Sequence, residues 1–174
     1  MEILFMHGAG GRVADQPMAA QLRRALGTGV SMARLPAEDM SVDAWRGAMR
    51  RHRATMGADV AVIAHSFGAS IALLDLAEEA TAPPPRALVL LAMPFWGPDG
   101  WDVEDYALPS SARLPAEVPI LLAHCRDDDV VPVGHLARHA ALLPSAAVRT
   151  HESGGHQFAG RMDAVARDLL ELLP

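Results

Sequence analysis

The stretch from Asp59 to Leu74 constrains this chain more than any other. Val60-Ala61-Val62-Ile63-Ala64 is a short continuous apolar run, as expected of a strand buried on both faces. After His65 and Ser66, the apolar positions Phe67, Ile71 and Leu74 recur at helical spacing, and the acids Asp75, Glu78 and Glu79 come only towards the far end. Strand and helix therefore meet with almost no loop between them. A serine at such a corner sits on a sharp turn with its hydroxyl out over the sheet edge. Its neighbours must be small, because the two backbones nearly touch. Ala64 and Gly68 meet that demand.

The rest of the chain repeats the alternation. Strands are expected over 2–6, 30–34, 60–64, 86–92, 119–124 and 147–151, and helices over 16–26, 42–56, 134–143 and 161–173 besides the one after Ser66. Pro17 suits a first helical turn, Gly27 a helix end, and Ser41 a cap. Alternating strands and helices imply an α/β fold. The expectation is a doubly wound, mostly parallel six-stranded sheet with helices on both faces. In such sheets ligands bind beyond the carboxyl ends of the strands, where the strand order reverses. If the first strand lies between the second and third, the loop His7-Gly8-Ala9-Gly10-Gly11 faces Ser66. The 174 residues are read as one domain, 1–174, with an irregular insertion at about 93–119 rich in proline, tryptophan and acids.

Composition narrows the function. A net charge of −6 speaks against a nucleic-acid surface, and Arg50-Arg51-His52-Arg53 reads as the solvated end of a helix. Cys125 is the only cysteine, so no disulfide can form within the chain. No apolar run approaches the ~20 residues of a membrane span, and the first strand begins at Glu2, which argues against a signal peptide. A cytoplasmic protein without nucleic-acid or membrane partners is expected.

Ala64-His65-Ser66-Phe67-Gly68 resembles the nucleophile elbow of the α/β-hydrolases, G-x-S-x-G, with alanine for the first glycine. Three more segments follow that family's order. Cys125-Arg126-Asp127-Asp128-Asp129-Val130-Val131-Pro132 is similar to the family's acid loop, in register at Asp128, with Asp127 and Asp129 as alternatives. Ser153-Gly154-Gly155-His156-Gln157-Phe158 is similar to its histidine loop, with His151 as runner-up to His156. The loop at 7–11 lacks both the lysine of a P-loop and the G-x-G-x-x-G spacing, which leaves oxyanion binding.

The resemblance spans the chain, and its length is similar to the small, lid-poor serine hydrolases of the retinoblastoma-binding-protein type. It implies two-step acyl transfer on a small carboxyl ester or thioester. Ser66 is the nucleophile, His156 the base, Asp128 the orienting acid, and the N–H groups of Ala9 and Phe67 hold the oxyanion. Phe95, Trp96 and Phe158 are candidate substrate contacts, among aromatic and methionine side chains that also include Met93 and Trp101. The acids Asp99, Asp102, Glu104 and Asp105 would repel an anionic leaving group. No cofactor or metal is expected: His135 and His139 lack the following glutamate of a zincin and read as surface residues. Two other readings stay open, an idle hydrolase fold that only binds and a metal-dependent hydrolase using Asp127 to Asp129.

Overall fold

Among the described residues six strands pair in the order β2-β1-β3-β4-β5-β6, every neighbour parallel. They are β1 Glu2–Met6, β2 Val30–Met32, β3 Val60–His65, β4 Leu88–Leu91, β5 Ile120–Cys125 and β6 Ala147–His151. The helices are α1 Gln16–Leu26, α2 Val42–Arg53, α3 Phe67–Ala77, α4 Gly134–Leu142 and α5 Met162–Leu172. This computed structural model describes residues 1–78, 83–98 and 100–173; Glu79 and Asp99 lie outside the described residues. The expected α/β architecture is the one observed.

Alternation along the strands builds two cores. Leu4, Met6, Val62, Ala64, Leu90 and Leu122 face a layer with Trp45 and Met49 of α2, Ile71 and Leu73 of α3 and Leu136 of α4. Ile3, Phe5, Ile63, Val89, Leu121 and Cys125 face the opposite layer, with Met18 and Leu22 of α1 and Val165 and Leu169 of α5. Because β1, β3, β4 and β5 are covered on both sides, their sequences are apolar at nearly every position. Edge strand β6 is only half-buried at its ends and exposed between them, which lets Arg149 stand in it.

Helix ends follow local chemistry. Pro17 sits in the first turn of α1, and Gly27 ends the helix with φ +62°. Ser41 Oγ accepts from the Ala44 N–H at 3.3 Å and caps α2. Helix α2 stops at Arg53, shorter than its periodicity suggested. β4 is also shorter: Ala92 still bonds Ala123 O at 2.9 Å but takes φ +46°, which turns the chain out of the strand. The insertion that follows holds one 3₁₀ turn, Glu104–Tyr106, and a bridge between Trp96 and Trp101.

No helix among the described residues is long and apolar enough to cross a membrane.

Candidate active site

Placing β1 beside both β2 and β3 makes the strand order reverse between β1 and β3. The loop after β1 and the corner after β3 therefore open on one crevice. Ser66 stands at that corner with φ +53° and ψ −125°, a conformation a non-glycine residue holds only under constraint. Its N–H bonds Leu91 O at 2.8 Å, and α3 begins at the next residue. Gly68 is required here: a Cβ would lie 2.5 Å from His7 O, because α3 rests directly on the end of β1.

A cavity of about 500 Å³ lies over the corner, and Ser66, His156, Ala9 and Phe67 all line it. The Phe67 N–H opens α3, where the first N–H groups have no partner in their own helix. Among the described residues, no backbone or side-chain acceptor takes the Ala9 N–H. Trp96, Trp101, Tyr106 and Met40 form much of the wall, with no arginine among the lining residues. Phe67 meets Tyr106 and Trp96 edge to face, at 4.8 and 6.1 Å between centroids. Trp96 is anchored by its indole N–H to Ser70 Oγ at 2.7 Å, and Tyr106 by its hydroxyl to Met40 O at 3.2 Å.

His156 Nδ1 lies 2.9 Å from Asp128 Oδ2. The other carboxylate oxygen of Asp128 accepts from Val130 N and Val131 N, at 2.9 and 2.8 Å. His124 Nε2 lies 3.1 Å from Asp128 Oδ2 and 2.9 Å from Val131 O, so its N–H is shared between them. Burial of Asp128 opposes ionisation. The hydrogen bonds from His124, His156, Val131 and Val130 outweigh it and hold the carboxyl well below the usual carboxylate range. Asp127 does something different: its two oxygens accept from Gly154 N and Gly155 N at 3.1 and 2.8 Å, tying down the loop before His156. Asp129 is exposed. Among the described residues Ser66 and His156 share no hydrogen bond.

Several candidates fall elsewhere. Phe158 is fully buried in the α1/α5 core, and Phe95 packs against His139 and Arg138; neither lines the cavity around Ser66. Phe158 leaves the loop at φ +50°, which turns its ring inward under the sheet. His151 also lies away from the cavity, its ring against Phe158. His135 and His139, read as surface residues, are buried. His135 Nδ1 accepts the Phe95 N–H at 2.8 Å, and His139 Nε2 donates to Pro94 O at 3.1 Å, so α4 pins the insertion. Burial pushes the His139 imidazole down to about 4. Asp102, Glu104 and Asp105 do not line the cavity. Cys125 is buried, and desolvation drives its thiol up to about 12, beyond nucleophilic use. No group of three or more His, Cys, Asp or Glu residues with metal-binding geometry occurs among the described residues.

Two residues that the motifs did not single out meet beneath the corner. His65 Nδ1 lies 2.8 Å from Asp15 Oδ2, and its Nε2 lies 2.8 Å from the carbonyl oxygen of His156. Asp15 Oδ2 also accepts the Gly8 N–H at 2.8 Å. Asp15 stands where a helix cap is expected but makes no cap bond; its carboxylate turns inward instead. An acid closing a glycine-rich loop was the available signal.

Comparison with known proteins agrees with this architecture. The ydeN gene product of Bacillus subtilis superposes with a TM-score of 0.72 at 15% identity, over 98% of this chain and 96% of that one. Mouse alpha/beta hydrolase domain-containing protein 10 gives 0.74 at 15% identity, over 98% and 88%. A hydrolase of the alpha/beta superfamily from Xanthomonas campestris gives 0.60 at 25% identity, over 99% of both chains. No curated protein matches the sequence. The fold is thus that of the α/β-hydrolases. A family model described as serine hydrolase matches residues 3–160, nearly the whole chain, and the protein accordingly belongs to the serine hydrolase family.

Proposed function

We propose that this serine hydrolase cleaves a small, uncharged carboxyl ester or thioester through an acyl-enzyme. The single observation that carries the reading is the His156–Asp128 contact at 2.9 Å, in the cavity that Ser66 also lines. With Nδ1 committed to a carboxylate, His156 has Nε2 left for the serine proton. Ser66 Oγ attacks the carbonyl carbon while His156 takes its proton. The tetrahedral intermediate collapses as His156 returns that proton to the leaving alcohol or thiol. Water, deprotonated by His156, then attacks the acyl-enzyme and releases the acid. Charge on the carbonyl oxygen would meet the N–H groups of Ala9 and Phe67, donors worth roughly 2.7–4 kcal/mol each. Closing of the Ser66–His156 hydrogen bond in the substrate complex fits the way such bonds tighten from the free enzyme. The aromatic wall favours an apolar acyl group, and a lining without arginine gives an anionic substrate no counter-charge.

The test is covalent. A fluorophosphonate probe should label Ser66, and p-nitrophenyl acetate should be hydrolysed at a rate EDTA leaves unchanged. Labelling that persists in Ser66→Ala, or turnover lost on chelation, would refute the reading. Silence in both assays would favour a binding role for the fold.

A further inference from the structure

His65, the residue before the candidate nucleophile, has a partner at each ring nitrogen. The His156 carbonyl can only accept, so Nε2 donates to it. Asp15 Oδ2 accepts the Gly8 N–H at 2.8 Å and lies 2.8 Å from His65 Nδ1, so one oxygen ties both segments. The two side chains form a buried hydrogen-bonded pair, with exposures of 1% and 0%. Burial opposes the Asp15 charge, but the His65 hydrogen bond, with the Gly8 N–H, holds its carboxyl below the usual range.

A buried polar pair is poor value as a stabiliser, since apolar residues of the same volume do as well or better. Its connections point to another use. Gly8 belongs to the glycine-rich loop, His65 to the serine corner, and the His156 carbonyl to the loop that carries the candidate base. We propose that Asp15 and His65 are positioning residues that lock these three segments into one register. This rests on the proposed roles of Ser66 and His156. A slip of about 1 Å in such a constellation costs about a hundredfold in rate.

The pair also lies against the candidate base: the His65 and His156 rings are 4.6 Å apart.

Nitrogen-15 NMR of the full-length protein reads the pair directly. Both His65 ring nitrogens should show hydrogen-bonded shifts in the wild type, and Asp15→Asn should move the Nδ1 signal; a Nδ1 signal that Asp15→Asn leaves unmoved overturns the proposal. Kinetics with p-nitrophenyl acetate read the role. His65→Asn should lower kcat about a hundredfold while KM stays within about threefold. The Asp15→Asn/His65→Asn double variant should be no slower than His65→Asn alone, since one unit is broken once. Unchanged kcat, or single losses that multiply in the double variant, would overturn the positioning role. Should His65→Asn fail to fold, the isosteric Asp15→Asn carries both readouts. A wild type that neither turns over ester nor is labelled at Ser66 sinks the proposed function itself. An active wild type whose His65 Nδ1 signal ignores Asp15→Asn sinks only the pair.

Discussion

Three aspartates stand in a row at 127–129, and their side chains do three different things. Asp128 meets His156 Nδ1, Asp127 holds the backbone of Gly154 and Gly155, and Asp129 faces solvent. Asp128→Asn should therefore lower kcat by at least about three orders of magnitude, because an amide favours the wrong imidazole tautomer. Asp127→Asn keeps one acceptor oxygen for the loop, and Asp129→Asn touches nothing, so both should stay within about tenfold of the wild type. Steady-state kinetics on all three decide the matter; equal small losses would mean that no such triad operates. Gly68 makes a second prediction at this scale. A methyl group there would meet the His7 carbonyl at 2.5 Å, backbone against backbone. Gly68→Ala should lower stability by about 1–3 kcal/mol, read as a shift in urea midpoint.

Helix α4 does more than cover the sheet. Through His135 and His139 it binds the backbone of Phe95 and Pro94, and so holds the insertion that supplies Trp96 and Trp101 to the cavity. Two histidines four apart are commonly read as surface or metal ligands; here each ring has a backbone partner instead. Burial makes the neutral form of His139 the folded form, with its titration pushed down to about 4 from 6.5. Between those values the unfolded chain binds a proton that the folded chain does not, so stability falls as pH falls through the window. The slope is about 1.4 kcal/mol per pH unit for one proton. Urea unfolding from pH 7 to 4.5 should show this loss, and His139→Gln should flatten it by about one proton. An unaltered slope would show that His139 titrates alike in both states.

Across the whole molecule, the two faces of the sheet give aromatic residues different work. Phe158 fills the α1/α5 core, whereas Trp101 stands at the rim of the cavity, 37% exposed. Phe158→Leu should lower stability by about 1 kcal/mol with KM unchanged. Trp101→Ala should leave the melting temperature nearly unchanged and raise KM for an apolar ester severalfold. The reverse pattern in melting curves and kinetics would reassign the two residues.

Much of this was legible in the residues themselves. Apolar runs named the strands, and period and caps named the helices, because buried parallel strands and amphipathic helices leave patterns within a few neighbouring positions. Ser66 was legible for the same reason: its strand, its turn and its small neighbours lie within five residues. Distances along the chain hid the rest. Phe158 and His156 share one loop, yet a positive φ at Phe158 sends its ring into the core, and no local pattern encodes that turn. Asp15 belongs to no motif and His65 read as part of the elbow, 50 positions apart; only the pairing of β1 with β3 brings them into contact beneath Ser66. The sequence alone thus determined which elements form and which serine stands at the corner between strand and helix. Which histidines are buried, and which carboxylates they meet, was decided by the packing of helices and loops over the sheet, since a side chain's partners are set by tertiary neighbours.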